Sequence, residues 1–198
     1  MNEVFAAALE LQTVLQNQQW RFCFIGGIAV QRWGEPRFTD DADVTLLTGF
    51  GREDEFVRHL LGCFAPRRPD ARDFAIRNRV LLLKNSSGIP LDVALGALDF
   101  EVRSVERASP FRFAGGQLLI TCSAEDLVVH KCFANRDQDW LDVERTLTRQ
   151  WATLDLDLVR RELGPLAELK EGPEIITRLE QKVSKLSRSP TLSKLRRR

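Results

Sequence analysis

The chain has 198 residues, of which 43% are hydrophobic, and a formal net charge of +1. This length is sufficient for one domain with its own core, with or without a helical appendage. No run of about 18 apolar residues occurs, so we expect no membrane-spanning helix. The first 18 residues have the pattern of an amphipathic helix and lack the basic start of a signal peptide, which predicts a cytoplasmic protein.

Hydrophobic periodicity predicts strands in the first part of the chain and mainly helices in the last part, an α+β arrangement in which a mixed sheet is flanked by helices. The predicted strands are 22–25, 41–47, 79–84, 91–95, 111–113 and 117–120. The predicted helices are 3–18, 28–34, 53–62, 98–107, 123–135, 139–150, 155–163 and 174–186. We therefore divide the chain into a module of residues 1–122, a helical C-terminal section of residues 123–186 packed on it, and a tail of residues 187–198. Gly164-Pro165 and Gly172-Pro173 are predicted to break helices.

The first predicted strand, residues 22–25, runs directly into the pair Gly26-Gly27. Glycines at this point are typical of a turn from a buried strand into a helix, which would begin near Ile28. The first backbone N–H groups of such a helix point outward without partners, and they form a binding site for phosphate.

Two acids, Asp41 and Asp43, are spaced i, i+2 at the start of the next predicted strand. This spacing places both carboxylates on one face of the strand, where they repel each other unless a cation lies between them. Mg²⁺ is the usual solution because it prefers carboxylate oxygens together with substrate phosphates. A turn or a helix cap is the alternative interpretation of these acids, but the residues after Asp43 favour a strand. An EF-hand loop is excluded because Leu46 occupies the position where that loop requires glycine.

A third acid, Asp92, lies within the predicted strand 91–95. Strand alternation places Leu91, Val93 and Leu95 on one face and Asp92 on the other. A buried carboxylate without a partner is costly. Asp92 is therefore paired, faces solvent or binds a metal.

The order Gly26-Gly27, a spacer of 13 residues and then Asp41-x-Asp43 resembles the signature of the nucleotidyltransferase superfamily with the polymerase-β-type fold. The spacer is longer than is usual in that family. Within it, Arg37-x-Thr39-x-Asp41-x-Asp43 is similar to the branch of AbiEii and MenT-like toxins.

This resemblance implies a Mg²⁺-dependent transfer of a nucleoside monophosphate from an NTP, such as ATP, to a hydroxyl group. Asp41 and Asp43 would hold two Mg²⁺ ions, and Asp92 would supply the third carboxylate and help to deprotonate the acceptor.

The resemblance also implies the residues that bind the nucleotide. Gly26 and Gly27 would let the backbone approach the triphosphate. Arg37 would contact phosphate through its planar guanidinium. Thr39 would either orient this loop or bind phosphate itself, and the sequence leaves both roles open.

A second group of polar residues begins at Ser123, which precedes an apolar helical run and has Asp126 three positions later, as in an N-cap with a reciprocal partner. The run from Glu125 to Asp142 is similar to the C-terminal motifs of the same toxin branch. The resemblance assigns Lys131 to the triphosphate or the active site.

The same resemblance assigns Arg136, Asp139 and Asp142 to the support of Lys131 or to the substrate side. The alternative is a solvated helix face, in which Asp142 and Arg145 at i, i+3 form an ordinary surface pair.

The cysteines Cys23, Cys63, Cys122 and Cys132 occur singly in apolar surroundings and without Cys-x-x-Cys spacing. This pattern predicts buried free thiols and argues against a zinc site.

Positive charge is concentrated at the C-terminus. After Glu180 the chain has seven Lys and Arg residues and no acid, which leaves residues 1–181 with a net charge of −6. Such a basic arm suits RNA phosphates, a solubilising terminus or an acidic partner. No aromatic residue interleaves these charges to stack on bases.

Taken with the resemblance, these features predict a nucleotidyltransferase acting on RNA, for example the 3′ end of a tRNA, as a toxin with an antitoxin partner. Two alternatives stay open: a small-molecule acceptor of the aminoglycoside kind, and a non-catalytic protein that binds a nucleotide or a partner.

Overall fold

The computed structural model describes residues 3–189 and 192. The described chain forms two compact units. The sheet unit contains the described residues up to Ile28 together with Phe38–Cys122. The helical unit contains Ala29–Arg37 together with the described residues from Ser123 onward. Most of the predicted basic tail, residues 190, 191 and 193–198, lies outside the described residues.

The sheet unit is built on one mixed seven-stranded sheet. Its strands are β1 (Phe22–Phe24), β2 (Ala42–Leu47), β3 (Ala65–Pro66), β4 (Val80–Lys84), β5 (Pro90–Gly96), β6 (Ser109–Arg112) and β7 (Leu118–Thr121). Their order across the sheet is β3-β4-β5-β2-β1-β7-β6. The pairs β2/β5 and β1/β7 are parallel, and the other neighbours are antiparallel.

The helices of this unit lie between the strands in the chain. They are α1 (Glu3–Asn17), α3 (Glu53–Cys63), α4 (Ala71–Asn78) and α5 (Asp99–Arg107), while α2 (Gly26–Trp33) begins in the sheet unit. Strand β2 shows how the core is formed, because its alternate residues Ala42, Val44 and Leu46 are all fully buried. They pack in one hydrophobic cluster with residues of α1, α3 and β5.

The helical unit contains α6 (Ala124–Ala134), α7 (Asp137–Arg149), α8 (Leu156–Leu169) and α9 (Glu174–Ser187). Ser123 caps α6 as predicted, since its hydroxyl accepts a hydrogen bond from the N–H of Asp126 at 3.1 Å. Within the part of the chain that the structure describes, no helix combines the length and the apolarity that a membrane span requires.

The predicted α+β architecture is confirmed, two local predictions are wrong, and two elements were missed. Helix α2 begins at Gly26 and not near Ile28, so both glycines belong to its first turn. Strand β3 and helix α4 were not predicted, because Pro66 and Pro69 frame a polar run that has the composition of a loop. Gly164-Pro165 does not end a helix, since α8 continues to Leu169 with Pro165 inside it.

Candidate metal centre in the sheet unit

Three carboxylates meet at the edge of the sheet unit where β2 and β5 begin. Asp41 directly precedes β2, and Asp43 lies opposite Asp92 in the parallel register of β2 and β5. One oxygen from each carboxylate lies within 4.8 Å of one oxygen from each of the other two. All three residues are partly exposed. Hard oxygen donors that converge in this way fit Mg²⁺, so the donor set suits the predicted ion.

Thr39 orients the first of these carboxylates. Its side chain is buried, and its hydroxyl donates to Oδ1 of Asp41 at 3.1 Å. A contact of Thr39 with phosphate stays a prediction.

The two glycines provide room for the acidic cluster. Gly26 has a φ of +55°, and a Cβ at this position would overlap the carboxylate of Asp43. A Cβ on Gly27 would overlap the hydroxyl of Thr39. Asp43 therefore lies against the first turn of α2, where the partial positive charge of the helix N-terminus favours an anion.

Replacing Gly26 with alanine is expected to lower the free energy of unfolding by about 1–3 kcal/mol, because the variant combines a left-handed backbone with an overlap of the Asp43 side chain. Gly62 in α3 is a matched control, since a Cβ there meets open space. Gly62→Ala is expected to stabilise the protein by up to about 1 kcal/mol. Urea unfolding of both variants measures the difference, and equal shifts in the two would contradict this account of Gly26.

A fourth charged residue, Arg67, was missed in the sequence. Its guanidinium forms an ion pair with Oδ1 of Asp92. The N–H of Arg67 donates to the carbonyl oxygen of Leu82 at 3.0 Å, and Leu82 lies opposite Asp92 across β4 and β5. In the sequence, Arg67 belongs to a basic pair between two prolines. This pattern does not indicate which strand Arg67 adjoins.

Burial of the Asp92 carboxyl raises its pKa above the ordinary value. The positive charge of Arg67 acts in the opposite direction, and the negative charge of Asp41 raises the pKa further. The environment of Asp92 thus favours uptake of a proton.

The helical unit contains a separate network of buried charges around Lys131. Its ammonium nitrogen lies 2.9 Å from Oδ1 of Asp139 and 3.0 Å from Oδ2 of Asp142. The two carboxylates are almost fully buried, with side-chain exposures of 1% and 0%. Arg136 adds a second cation on Asp139, with Nε 2.6 Å from Oδ2.

Arg37 belongs to this network. Its Nε and Nη2 each donate to a different oxygen of Asp142 at 2.9 Å, which is the bidentate geometry of a guanidinium on a carboxylate. The alternative of a surface pair between Asp142 and Arg145 is wrong, because Asp142 is buried and Arg145 pairs with Glu35 at 2.8 Å. The phosphate roles of Arg37 and Lys131 stay predictions.

Burial alone would raise the pKa of Asp142, but the hydrogen bonds from Arg37 and Lys131 outweigh this effect and lower it. The pKa of Asp139 is lowered in the same way, since hydrogen bonds from Arg136 and Lys131 outweigh its burial. Both carboxylates are therefore held in the charged form that the network requires.

Two further predictions are refined by the structure. Lys182 and Lys185 of the basic C-terminal run pair with Glu144 at 2.8 and 3.1 Å, so these two cations belong to the helical unit. Three of the cysteines are buried free thiols as predicted, whereas Cys63 is exposed at the end of α3.

Comparison with known proteins shows similarity at the level of structure. No protein-family model and no curated protein matches the chain. An antigenic nucleotidyltransferase-like protein from Paracoccidioides brasiliensis superimposes with a TM-score of 0.50 at 14% identity, covering 91% of this chain and 93% of that one. The antibiotic-resistance factor ANT(2″)-Ia in solution gives 0.53 at 12% identity, with 82% and 90% coverage. The structure of ANT(2″)-Ia with adenylyl-2″-tobramycin gives 0.50 at 12% identity, with 81% and 95% coverage.

Identities of this size establish a shared fold and nothing finer. The mixed sheet and its flanking helices thus have the architecture of the nucleotidyltransferase-type proteins.

Proposed function

We propose that the protein is a nucleotidyltransferase that moves a nucleoside monophosphate from an NTP to a hydroxyl acceptor. The observation that carries this proposal is the convergence of Asp41, Asp43 and Asp92 beside the first turn of α2, in a fold of the nucleotidyltransferase type. A cluster of acids alone would not suffice, but this cluster adjoins a helix N-terminus that suits phosphate.

We assign a part in this reaction to each residue of the metal centre. Asp41 and Asp43 would hold the divalent ions, with Thr39 orienting Asp41 and Gly26 leaving room for Asp43. Bound Mg²⁺ supplies neutralisation of the phosphate charge and activation of the acceptor oxygen. That oxygen forms a bond to the α-phosphorus of the NTP as the bond to pyrophosphate breaks. Asp92 accepts the hydroxyl proton, a role that suits a carboxyl group with a raised pKa.

We further propose that the acceptor is RNA, in the manner of the AbiEii and MenT-like toxins. The support is the resemblance of Arg37-x-Thr39-x-Asp41-x-Asp43 to that branch and the concentration of basic residues at the C-terminus. An antitoxin would be the corresponding partner, and the cytoplasm the corresponding location. Lys131 and Arg37 are proposed to serve the triphosphate in this scheme.

A small-molecule acceptor is the second candidate. One observation favours it, namely that a structure sharing this fold is a complex with adenylyl-2″-tobramycin. Because that protein is only 12% identical, the likeness extends to the fold and does not identify a substrate.

The experiment is an acceptor screen with each of the four NTPs labelled at the α-phosphate, Mg²⁺, and either total tRNA or tobramycin. Label in tRNA supports the RNA proposal, and label in tobramycin supports the small-molecule candidate. NTP binding without any product, unchanged by Asp43→Ala, would instead identify a non-catalytic nucleotide-binding protein. Expression of the wild type beside Asp41→Ala tests toxicity, since equal growth would contradict it.

A further inference from the structure

Arg67 reaches the metal centre from the far side of the neighbouring strand. Residues directly opposite each other on adjacent strands project to the same face of a sheet. Asp43, Asp92 and Leu82 are such partners across β2, β5 and β4. The N–H of Arg67 bonds to Leu82, and its side chain crosses Leu82 to pair with Asp92.

This ion pair differs from that of the next residue in the chain. The side chains of Arg67 and Asp92 are 29% and 27% exposed, and the two residues are 25 positions apart in the chain. Arg68 pairs with Asp70 two residues away, and those side chains are 38% and 54% exposed. The first pair is set by the pairing of the sheet, whereas the second is local and more solvated.

The charge of the cluster explains the position of Arg67. Three carboxylates within 4.8 Å repel one another, and a guanidinium on one of them offsets part of that repulsion. The same guanidinium pairs with one of the two oxygens of Asp92, which leaves that carboxylate fewer oxygens for a divalent ion. A positive charge at this place also repels a second cation.

We propose that Arg67 is a built-in counterion of Asp92 that takes the place of one divalent ion. Without nucleotide, the protein holds a single divalent ion on Asp41 and Asp43. A second ion binds only when Arg67 leaves Asp92, and the phosphates of an incoming NTP offer the guanidinium an alternative bidentate partner. This inference rests on the metal centre of the proposed function, but it concerns the occupancy of that centre and not the reaction.

The test is a titration with Mn²⁺ in the absence of nucleotide. Binding is monitored by calorimetry and by the electron paramagnetic resonance signal of free Mn²⁺. The wild type and the matched control Arg68→Gln are expected to bind one ion tightly and a second ion only weakly. Arg67→Gln is expected to bind a second ion at least about tenfold more tightly than the wild type does, because a unit positive charge has been removed within a few ångströms. Identical titrations of all three proteins would overturn the proposal.

A double-mutant cycle with Asp92→Asn tests whether the effect acts through the ion pair. In that background Arg67→Gln is expected to strengthen Mn²⁺ binding less than it does when Asp92 is present, and an undiminished effect would overturn the proposal. If Arg67→Gln is unfolded in EDTA, recovery of the folded circular dichroism spectrum with Mn²⁺ is the supporting result, and failure to recover is the contrary one.

The outcome is separable from that of the acceptor screen. If the proposal on Arg67 fails, the proposed nucleotidyl transfer is not contradicted, since equal Mn²⁺ binding by the variants says nothing about product formation. Absence of transfer to any acceptor, with the expected Mn²⁺ stoichiometries, would contradict the proposed function alone.

Discussion

Replacing Asp43 with asparagine is expected to reduce nucleotidyl transfer by about 10³-fold or more, which corresponds to roughly 4 kcal/mol of transition-state stabilisation. Asp43 lies opposite Asp92 and two residues from Asp41, and its carboxylate lies against the first turn of α2. An amide retains the shape of the side chain but removes the negative charge that a divalent ion requires. The measurement is the rate of label transfer at saturating NTP and Mg²⁺.

Asp40→Asn is the control for this variant. It makes the same chemical change in the same loop, at an exposed residue outside the carboxylate cluster, and activity is expected to be unchanged. Without metal, Asp43→Asn is expected to unfold at the same or a higher urea concentration than the wild type, because one of three mutually repelling charges is gone. Transfer by Asp43→Asn at the wild-type rate would refute the proposed role of the cluster.

The second large effect is expected on stability. Asp142→Ala should lower the free energy of unfolding by about 3–5 kcal/mol, since it removes the carboxylate on which both Lys131 and Arg37 are paired. Lys131 is itself buried, so its charge would be left with fewer partners in a site that excludes water. Urea unfolding followed by circular dichroism gives the value.

Asp137 on the same helix provides the control for Asp142. Its side chain is fully exposed and lies 3.4 Å from Arg178, and Asp137→Ala is expected to change stability by no more than about 0.5 kcal/mol. Similar losses in the two variants would show that the network contributes little.

Acid unfolding is a second readout of the same network. Because the pKa of Asp142 is lowered in the folded protein, its contribution to stability is complete above the unfolded pKa of about 3.9 and is lost as pH falls through the folded pKa. Asp142→Ala should therefore show a smaller dependence on pH below about 4.

Part of the metal centre could be predicted from the local sequence pattern alone. Side chains along a strand alternate between its two faces, so the spacing of Asp41 and Asp43 alone predicts that their carboxylates lie on one face. Asp92 stands among apolar residues that take the opposite face of its strand. These inferences need only neighbouring residues. The α+β architecture follows similarly from periodicity along the chain.

The partners of these residues depend on contacts between distant segments. Asp92 meets Asp43 because β2 and β5 are parallel neighbours, although the paired residues of the two strands are 49 positions apart in the chain (92 − 43). Arg67 reaches Asp92 only because its backbone pairs with β4, and no periodicity in Pro66-Arg67-Arg68-Pro69 indicates that pairing.

The helical unit shows the same division. Charged residues spaced i, i+3 on a helix share a face, and that much is visible in Asp139 and Asp142. Whether such a face meets solvent or another element is settled by packing, and here it is buried against Lys131 and Arg37, which lies 105 residues from Asp142. The chain thus specifies locally which faces carry charge, while burial and pairing arise from long-range packing, because desolvation and ion pairing depend on which surfaces meet in space.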